Sequence, residues 1–270
     1  MNTHYTHSIF VPHGAPTFAL RPGAAGEALV AAANGLPRPR AIIVISAHWD
    51  SERPTVGFAD RPETIHDFWG FPEELYALRY PATGCREGAE AVVQAIKAAG
   101  LPVLRDDTRG LDHGAWLPLR LMFPNADVPV IPLSIQSHAG PEPAYRLGLA
   151  LAPLAASGFL VIASGNLTHN LRDFQRAFHN GGQTPAYVRE FTDWLAERLA
   201  AKDLPALLDY RKLAPGALQA HPTDEHLLPL FVALGAAGPD AEAQRLHAGI
   251  DEYVIAMDAY TFSTPKGLPQ

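Results

Sequence analysis

The chain of 270 residues has a single cysteine, Cys85, so it can form no internal disulfide. That excludes the small disulfide-stapled secreted scaffolds and makes a reducing cytoplasm the expected compartment. No apolar stretch reaches the roughly 18 residues a membrane-spanning helix requires, because Pro, Gly or charge interrupts each one. The N-terminal MNTHYTHSIFVPHG lacks a basic stretch followed by a long apolar core, and no leader peptide is expected. Basic residues are also few: 21 Lys and Arg stand against 28 Asp and Glu, for a formal net charge of -7. Phosphate backbones and anionic headgroups need clustered cations, so neither nucleic acid nor a membrane is an expected partner. The sequence sets no oligomeric state. Absent too are the G-x-S-x-G elbow, the G-x-x-x-x-G-K-[ST] phosphate loop and a G-x-G-x-x-G after a strand. Cys85, in ATGCREG, has no motif placing a base beside it and reads as structural.

What remains is an ordinary globular composition, 47% hydrophobic and 18% charged. The length suits one domain over residues 1–270, with STPKGLPQ from Ser263 onward reading as a frayed tail. Four continuous apolar runs predict buried strands at Ser8–Val11, Ala41–Ser46, Val128–Ile135 and Phe159–Ala163. Pro129 and Pro132 each remove a ladder donor, so the third strand is expected to be bent or at an edge. Helical patterns cover Glu87–Ala99, Tyr145–Ser157 and Pro185–Lys202, the first two closed by Gly100 and Gly158 and the last opened by Thr184 and Pro185. The Gly181-Gly182 pair reads as a loop. Alternating strands and helices predict a layered α/β/α domain whose central sheet is mostly parallel or mixed.

Histidine is plentiful, twelve in all, and its placement is the functional signal. His13 follows SIFV, His48 follows AIIVIS and His169 follows FLVIA, so three strand ends each deliver one imidazole. Ligands of open α/β sheets bind in the crevice at the carboxyl ends of the strands, where such residues can meet. His113 in GLDHGAW and His226 in HPTDEHLLPL sit in further motif-like surroundings, the latter at the start of an expected helix, His226–Leu234. Any one of these can be a hydrogen-bonded structural residue; together they point to a shared metal or acid/base site, imidazole being suited to Fe, Zn and Cu. His4 and His7 are assigned to a frayed terminus, and His138, His179 and His247 to polar loops or exposed faces. His221 lies five residues before His226 and could reach the same metal. His66, flanked by Phe68, Trp69 and Phe71, reads as a lid, a pocket wall or a packed loop.

Taken in order, VPHGAP, SAHWD, TIHDFWGFPEELY, LDHGAW, ASGNLTHNL and PTDEHLLPL resemble the 4,5-DOPA extradiol branch of the class III ring-cleaving dioxygenases, whose type is the β-subunit of protocatechuate 4,5-dioxygenase. The resemblance runs from His13 to about Met257. It implies that His13, His48 and His226 hold a metal. It also implies that His169 lies beside the metal, as a fourth ligand with zinc or as a free acid/base with iron, and that His113 faces the substrate from outside the ligand set. The wider superfamily uses two histidines and a glutamate, which makes Glu225 the alternative third ligand. Helical neighbours point about 100° apart, so only one of Glu225 and His226 is expected to face the metal.

The implied reaction opens a catechol ring with O₂ at non-heme Fe(II), with Zn(II) as an alternative occupant of the same site. Proton transfer falls to His169 first and His113 second, since imidazole titrates near neutral pH. Trp49, His66, Phe68, Trp69 and Trp116 are the expected walls for a flat ring, with core packing the alternative for each. Two rival readings are a zinc hydrolase built on the same histidines and a metal-free interaction module of the same fold.

Overall fold

The computed structural model describes residues 4–179 and 182–265. In chain order its strands are β1 (His4–Pro12), β2 (Ile42–Asp50), β3 (Thr55–Gly57), β4 (Leu104–Asp106), β5 (Val130–Ile135), β6 (Leu160–Gly165), β7 (Glu242–His247), β8 (Ile250–Asp251), β9 (Ile255–Ala256) and β10 (Ala259–Pro265). The helices are α1 (Gly23–Asn34), α2 (Glu73–Ala77), α3 (Arg86–Ala98), α4 (His113–Met122), α5 (Pro141–Ala156), α6 (Leu171–His179), α7 (Ala186–Ala200), α8 (Leu204–Leu208), α9 (Tyr210–Leu213), α10 (Ala217–Ala220) and α11 (Leu228–Ala236). Among the described residues no helix is long and apolar enough to cross a membrane.

The four apolar runs form the middle of an eight-stranded mixed sheet ordered β4-β3-β5-β2-β6-β1-β10-β7. Its central pairs, β5–β2, β2–β6 and β6–β1, are parallel, and antiparallel pairs occur on either side of them. Every residue of β5 and β6 is buried, as continuous apolarity requires when helices cover both faces. Helices α3, α5 and α11 pack on one face and α1 and α4 on the other. Each Val, Leu or Ile so enclosed contributes about 1.5–3 kcal/mol of transfer free energy.

Three expectations need correcting. β5 is not an edge strand: Pro132 pairs with Val44 on one side, while on the other β3 joins only through Val56 and Leu133. The proline ring is accommodated by Gly57, where a Cβ would lie 2.4 Å from Pro132 Cγ. The stretches His4–Thr6 and Ser263–Pro265, expected to fray, instead pair with each other. This places His4 and His7 in β1; the remainder of the tail, 266–270, lies outside the described residues. His226 precedes its helix instead of starting it, since the chain is in a turn from 225 to 227 and α11 opens at Leu228.

The other helices match within a few residues, although Pro185 itself occupies the position before α7 and Thr184 lies outside it. Cys85 serves as the N-cap of α3, its Sγ accepting from the Gly88 N–H. Gly182 lies in a bend and Gly181 outside the described residues. His138 and His179 are exposed, whereas His247 is half-buried on strand β7.

Helix α11 is held in place by a backbone crossing with α5. A Cβ at Gly148 would lie 2.2 Å from the Val232 carbonyl, and one at Gly235 the same distance from the Tyr145 carbonyl. The Ser8 hydroxyl of β1 also donates to the Ala233 carbonyl at 2.6 Å. These contacts fix the helix whose leading turn carries His226.

Candidate metal centre

His13 stands one residue beyond β1, fully buried, and its Nδ1 lies 2.9 Å from the Ser164 hydroxyl of β6. Gly14 then turns the chain in the left-handed region at φ 58, and its N–H donates to Asn166 Oδ1 at 3.0 Å. A Cβ there would lie 2.9 Å from Met257, so VPHGAP needs its glycine for both angle and space. His48 sits where β2 leaves its neighbours. Pairing with β6 ends at Ser46, and pairing with β5 skips from Ile45 to Asp50. That irregularity aims the imidazole at the strand ends, where its Nε2 comes within 3.2 Å of His13 Nε2.

His113 opens α4 behind its N-cap Asp112, which also accepts from the Ser46 hydroxyl at 2.5 Å and from Arg109 at 2.6 Å. Its ring centroid is 4.0 Å from that of His48. A carboxylate from a distant loop joins the two: Asp67 lies 3.0 Å from His113 Nδ1 and 3.6 Å from His48 Nδ1, and accepts from the His113 backbone N–H at 2.9 Å. Burial opposes ionisation of Asp67, but the His113 contacts outweigh it and hold the carboxyl down to about 2.

The opposite side is carried by turns. Gly165 ends β6 with the His226 carbonyl 2.1 Å from where a Cβ would stand, and the Asn166 N–H donates to that carbonyl at 3.0 Å. His226 Nδ1 lies 3.1 Å from Glu225 Oε1, while its Nε2 is buried without a hydrogen-bond partner among the described residues. His169 is anchored through its backbone N–H to the Ala220 carbonyl at 2.8 Å, and its ring stacks on His226 with centroids 3.5 Å apart and planes 10° off parallel. His221 does not join them. It is fully buried behind the site, its Nε2 2.8 Å from the Leu167 carbonyl.

The centroids of His13, His48 and His226 stand 4.9, 5.3 and 5.0 Å apart, a near-equilateral triangle. Ligand nitrogens of His13, His48 and His113 lie within 4.8 Å of one another, as do those of His169 and His226 with a Glu225 oxygen. Burial, reinforced by the neighbouring imidazoles, pushes His13 and His226 well below the ordinary histidine range, His48 to about 3 and His169 to about 4. These rings are neutral near pH 7, the form that binds a metal.

A cavity of about 470 Å³ opens over the cluster. Of the expected walls, Phe68 and Trp69 line it, joined by Phe71, Leu171, Phe174 and Ile255. Three others do not. Trp116 is fully buried, its Nε1–H donating to the Ile65 carbonyl at 2.9 Å; Trp49 lies under the Arg109 guanidinium, 5.0 Å away; His66 stands behind Phe68 against the Leu78 carbonyl. The sequence reading missed Asp67, although it adjoins His66 in the singled-out TIHDFWGFP; adjacency of a carboxylate to a histidine motif was the available signal.

The model of the catalytic LigB subunit of aromatic ring-opening dioxygenase matches residues 25–262. The chain belongs to the LigB family. It is similar to the 4,5-DOPA dioxygenase extradiol of Beta vulgaris, 38% identical over 261 residues that cover 95% of this chain and 96% of that one. A protein of the same name from Escherichia coli strain K12 is 36% identical over 233 residues, covering 85% and 84%. Among solved structures, the uncharacterized protein JW3007 of Escherichia coli K12 superposes with a TM-score of 0.77 at 28% identity, covering 94% of this chain and 98% of that one. As a LigB-family protein the chain is an extradiol-type aromatic ring-opening dioxygenase, which displaces the reading as a metal-free interaction module.

Proposed function

We propose that this LigB-family enzyme opens the ring of a catechol with a DOPA-like side chain, using O₂ at an Fe(II) centre held by His13, His48 and His226. The observation that carries the assignment is the triangle of three neutral imidazoles with the His226 Nε2 buried and unpartnered among the described residues. A buried imidazole nitrogen without a partner is costly unless a ligand such as a metal completes it. The 3.2 Å between His13 Nε2 and His48 Nε2 also suits neighbouring ligands of one ion, since two metal–nitrogen bonds of about 2.0–2.1 Å at 90–110° span about 3 Å. When bound, Fe(II) would supply open coordination positions and the electrons that O₂ activation requires.

The remaining work belongs to the chain. Glu225 holds His226 through Nδ1, the arrangement that orients a ligating imidazole, and so acts beside the ligand set. His169 is the base. Its plane is nearly parallel to that of His226, and two stacked rings cannot both aim in-plane lone pairs at one ion. The same stacking disfavours a closed four-histidine zinc site. His169 is left to take a catechol proton on a ring nitrogen and return it later. His113, its Nδ1 3.0 Å from the Asp67 carboxylate, lines the cavity and serves as a second proton carrier. Phe68, Phe71, Phe174 and Ile255 exclude water from the bound ring. A reducing cytoplasm, where Fe(II) and the Cys85 thiol both persist, is the fitting compartment.

Imidazole sites bind zinc more tightly than Fe(II) in the general affinity order, so zinc is expected in the purified protein. Anaerobic reconstitution with Fe(II), followed by O₂ uptake on a small panel of catechols, tests the assignment. Iron-loaded enzyme is expected to consume O₂ and form a yellow ring-opened product. Equal O₂ uptake by zinc-loaded protein would remove the redox role given to iron.

A further inference from the structure

The cavity over the histidines is charged in one sense only. Apart from histidine, its ionisable lining consists of two carboxylates, Asp67 and Glu252, and among the described residues neither lysine nor arginine lines it. Asp67 accepts from the His113 backbone N–H and lies against the His113 ring. Glu252 is half-buried, and no hydrogen bond or ion pair engages its carboxylate among the described residues. Much of the remaining lining is apolar, including Ile255 of the same hairpin and Phe174, Leu171, Phe68 and Trp69.

The backbone around Glu252 is held by defined contacts. It sits at the tip of the β8–β9 hairpin, where Ile250 pairs with Ala256 and Asp251 with Ile255. Both Glu252 (φ 48) and Tyr253 (φ 66) adopt the left-handed region, uncommon for residues other than glycine and concentrated at functional sites. The hairpin is tied to the segment that carries His169: the Thr168 hydroxyl donates to the Val254 carbonyl at 2.6 Å and accepts from the Ala256 N–H at 2.9 Å. The Glu252 backbone is thus tied to the segment that carries the proposed base, and its side chain lines the same cavity. An unpaired carboxylate in such a wall attracts a cationic side chain and repels an anionic one, and discrimination by charge draws on both effects.

We propose that Glu252 is a specificity-determining residue that selects catechols bearing a cationic amine over those whose side chain bears only a carboxylate. This rests on the ring-opening function and names its substrate class; an amino-acid side chain satisfies it through the α-ammonium group. The test is calorimetric titration of zinc-loaded protein with three catechols of similar size: dopamine, neutral ethylcatechol and the dihydroxyphenylpropionate. Dopamine is expected to bind about tenfold more tightly than the propionate, the neutral catechol falling between, as suits one partly exposed charge pair. Glu252→Gln, which preserves size and backbone, is expected to bring the three within about twofold, and Glu252→Lys to invert the order. A wild-type preference for the propionate, or a preference for dopamine that survives Glu252→Gln, overturns the proposal. Turnover by the iron-loaded enzyme separates this from the parent assignment. If the binding order holds but none of the three rings opens, the selection by Glu252 stands and the ring-opening chemistry falls.

Discussion

His13 and His48 are delivered by the ends of β1 and β2, whereas His169 and His226 hang on turns, one past β6 and the other ahead of α11. On the strand side, side chains flank the nitrogens facing away from the centre, Ser164 bonding His13 at 2.9 Å and Asp67 standing 3.6 Å from His48 while accepting from the His113 backbone N–H. On the turn side Glu225 bonds His226 Nδ1, but the positions depend further on backbone crossings, the His226 carbonyl over Gly165 and Asn166 and the His169 amide on Ala220. Sites built on strands are the more precisely held, and turns allow the small displacements that proton transfer needs. The proposed metal-holding pair is therefore placed at strand ends of the sheet and the proposed proton carrier on a connecting segment. His226 belongs to both, a proposed ligand on a turn that leads into the helix crossed by α5.

The largest effect that would break this division is at His169. His169→Gln is expected to lower turnover by about 10²- to 10⁴-fold while iron content stays near wild type. Metal analysis and kcat measured on one preparation check it; loss of iron in the variant would make the turn side a ligand side as well. A smaller effect is expected on the strand side. Asp67→Asn retains an oxygen for the His113 backbone N–H but removes the charge that orients His113 and His48, and iron affinity is expected to fall about 10- to 100-fold. Competition with a coloured chelator reads that affinity. If Asp67→Asn binds iron as wild type does, the two imidazoles are held by their own backbones, His48 on β2 and His113 on α4, without the carboxylate.

Much of this contrast was legible in the sequence, and what was not has physical reasons. Continuous apolar runs exposed β1, β2, β5 and β6 because their surroundings are apolar on both faces, and a histidine just after such a run lands at the strand's carboxyl end. Asp67 was hidden because its contact with His113 spans 46 positions and exists only once the loop folds back. Trp49, His66 and Trp116 were misplaced since an aromatic residue suits a core and a pocket equally, and only the backbone decides which it faces. The polar terminal strands read as tails because their pairing, His4 with Pro265, joins the two ends of the fold and leaves no local pattern. Glu252 carried no motif; its significance lies in a hairpin geometry that composition does not encode.

The smallest expected effect sharpens the comparison within the turn side, where His221 and His226 lie five residues apart and do different things. Both are buried, and burial pushes both below the ordinary histidine range, His221 to about 3. His221 reaches no metal-facing position; it bonds the Leu167 carbonyl and packs against Phe191, bracing the segment that leads to His169. In the unfolded chain it titrates near 6.5, so as pH falls the unfolded state takes up a proton that the folded state refuses. The stability His221 confers is thus complete above the unfolded value and is lost progressively as pH falls through 6.5 towards about 3. Between pH 8 and pH 5 the loss amounts to about 2 kcal/mol for this one group. His221→Gln keeps a donor for the carbonyl but cannot titrate. Urea unfolding of metal-free wild type and variant at both pH values is expected to show wild type losing about 2 kcal/mol more than the variant on acidification, because any pH-independent cost of the substitution cancels in that difference. Equal acid sensitivity in the two proteins would mean that His221 is protonated in the fold and that its hydrogen bond to Leu167 is charge-assisted.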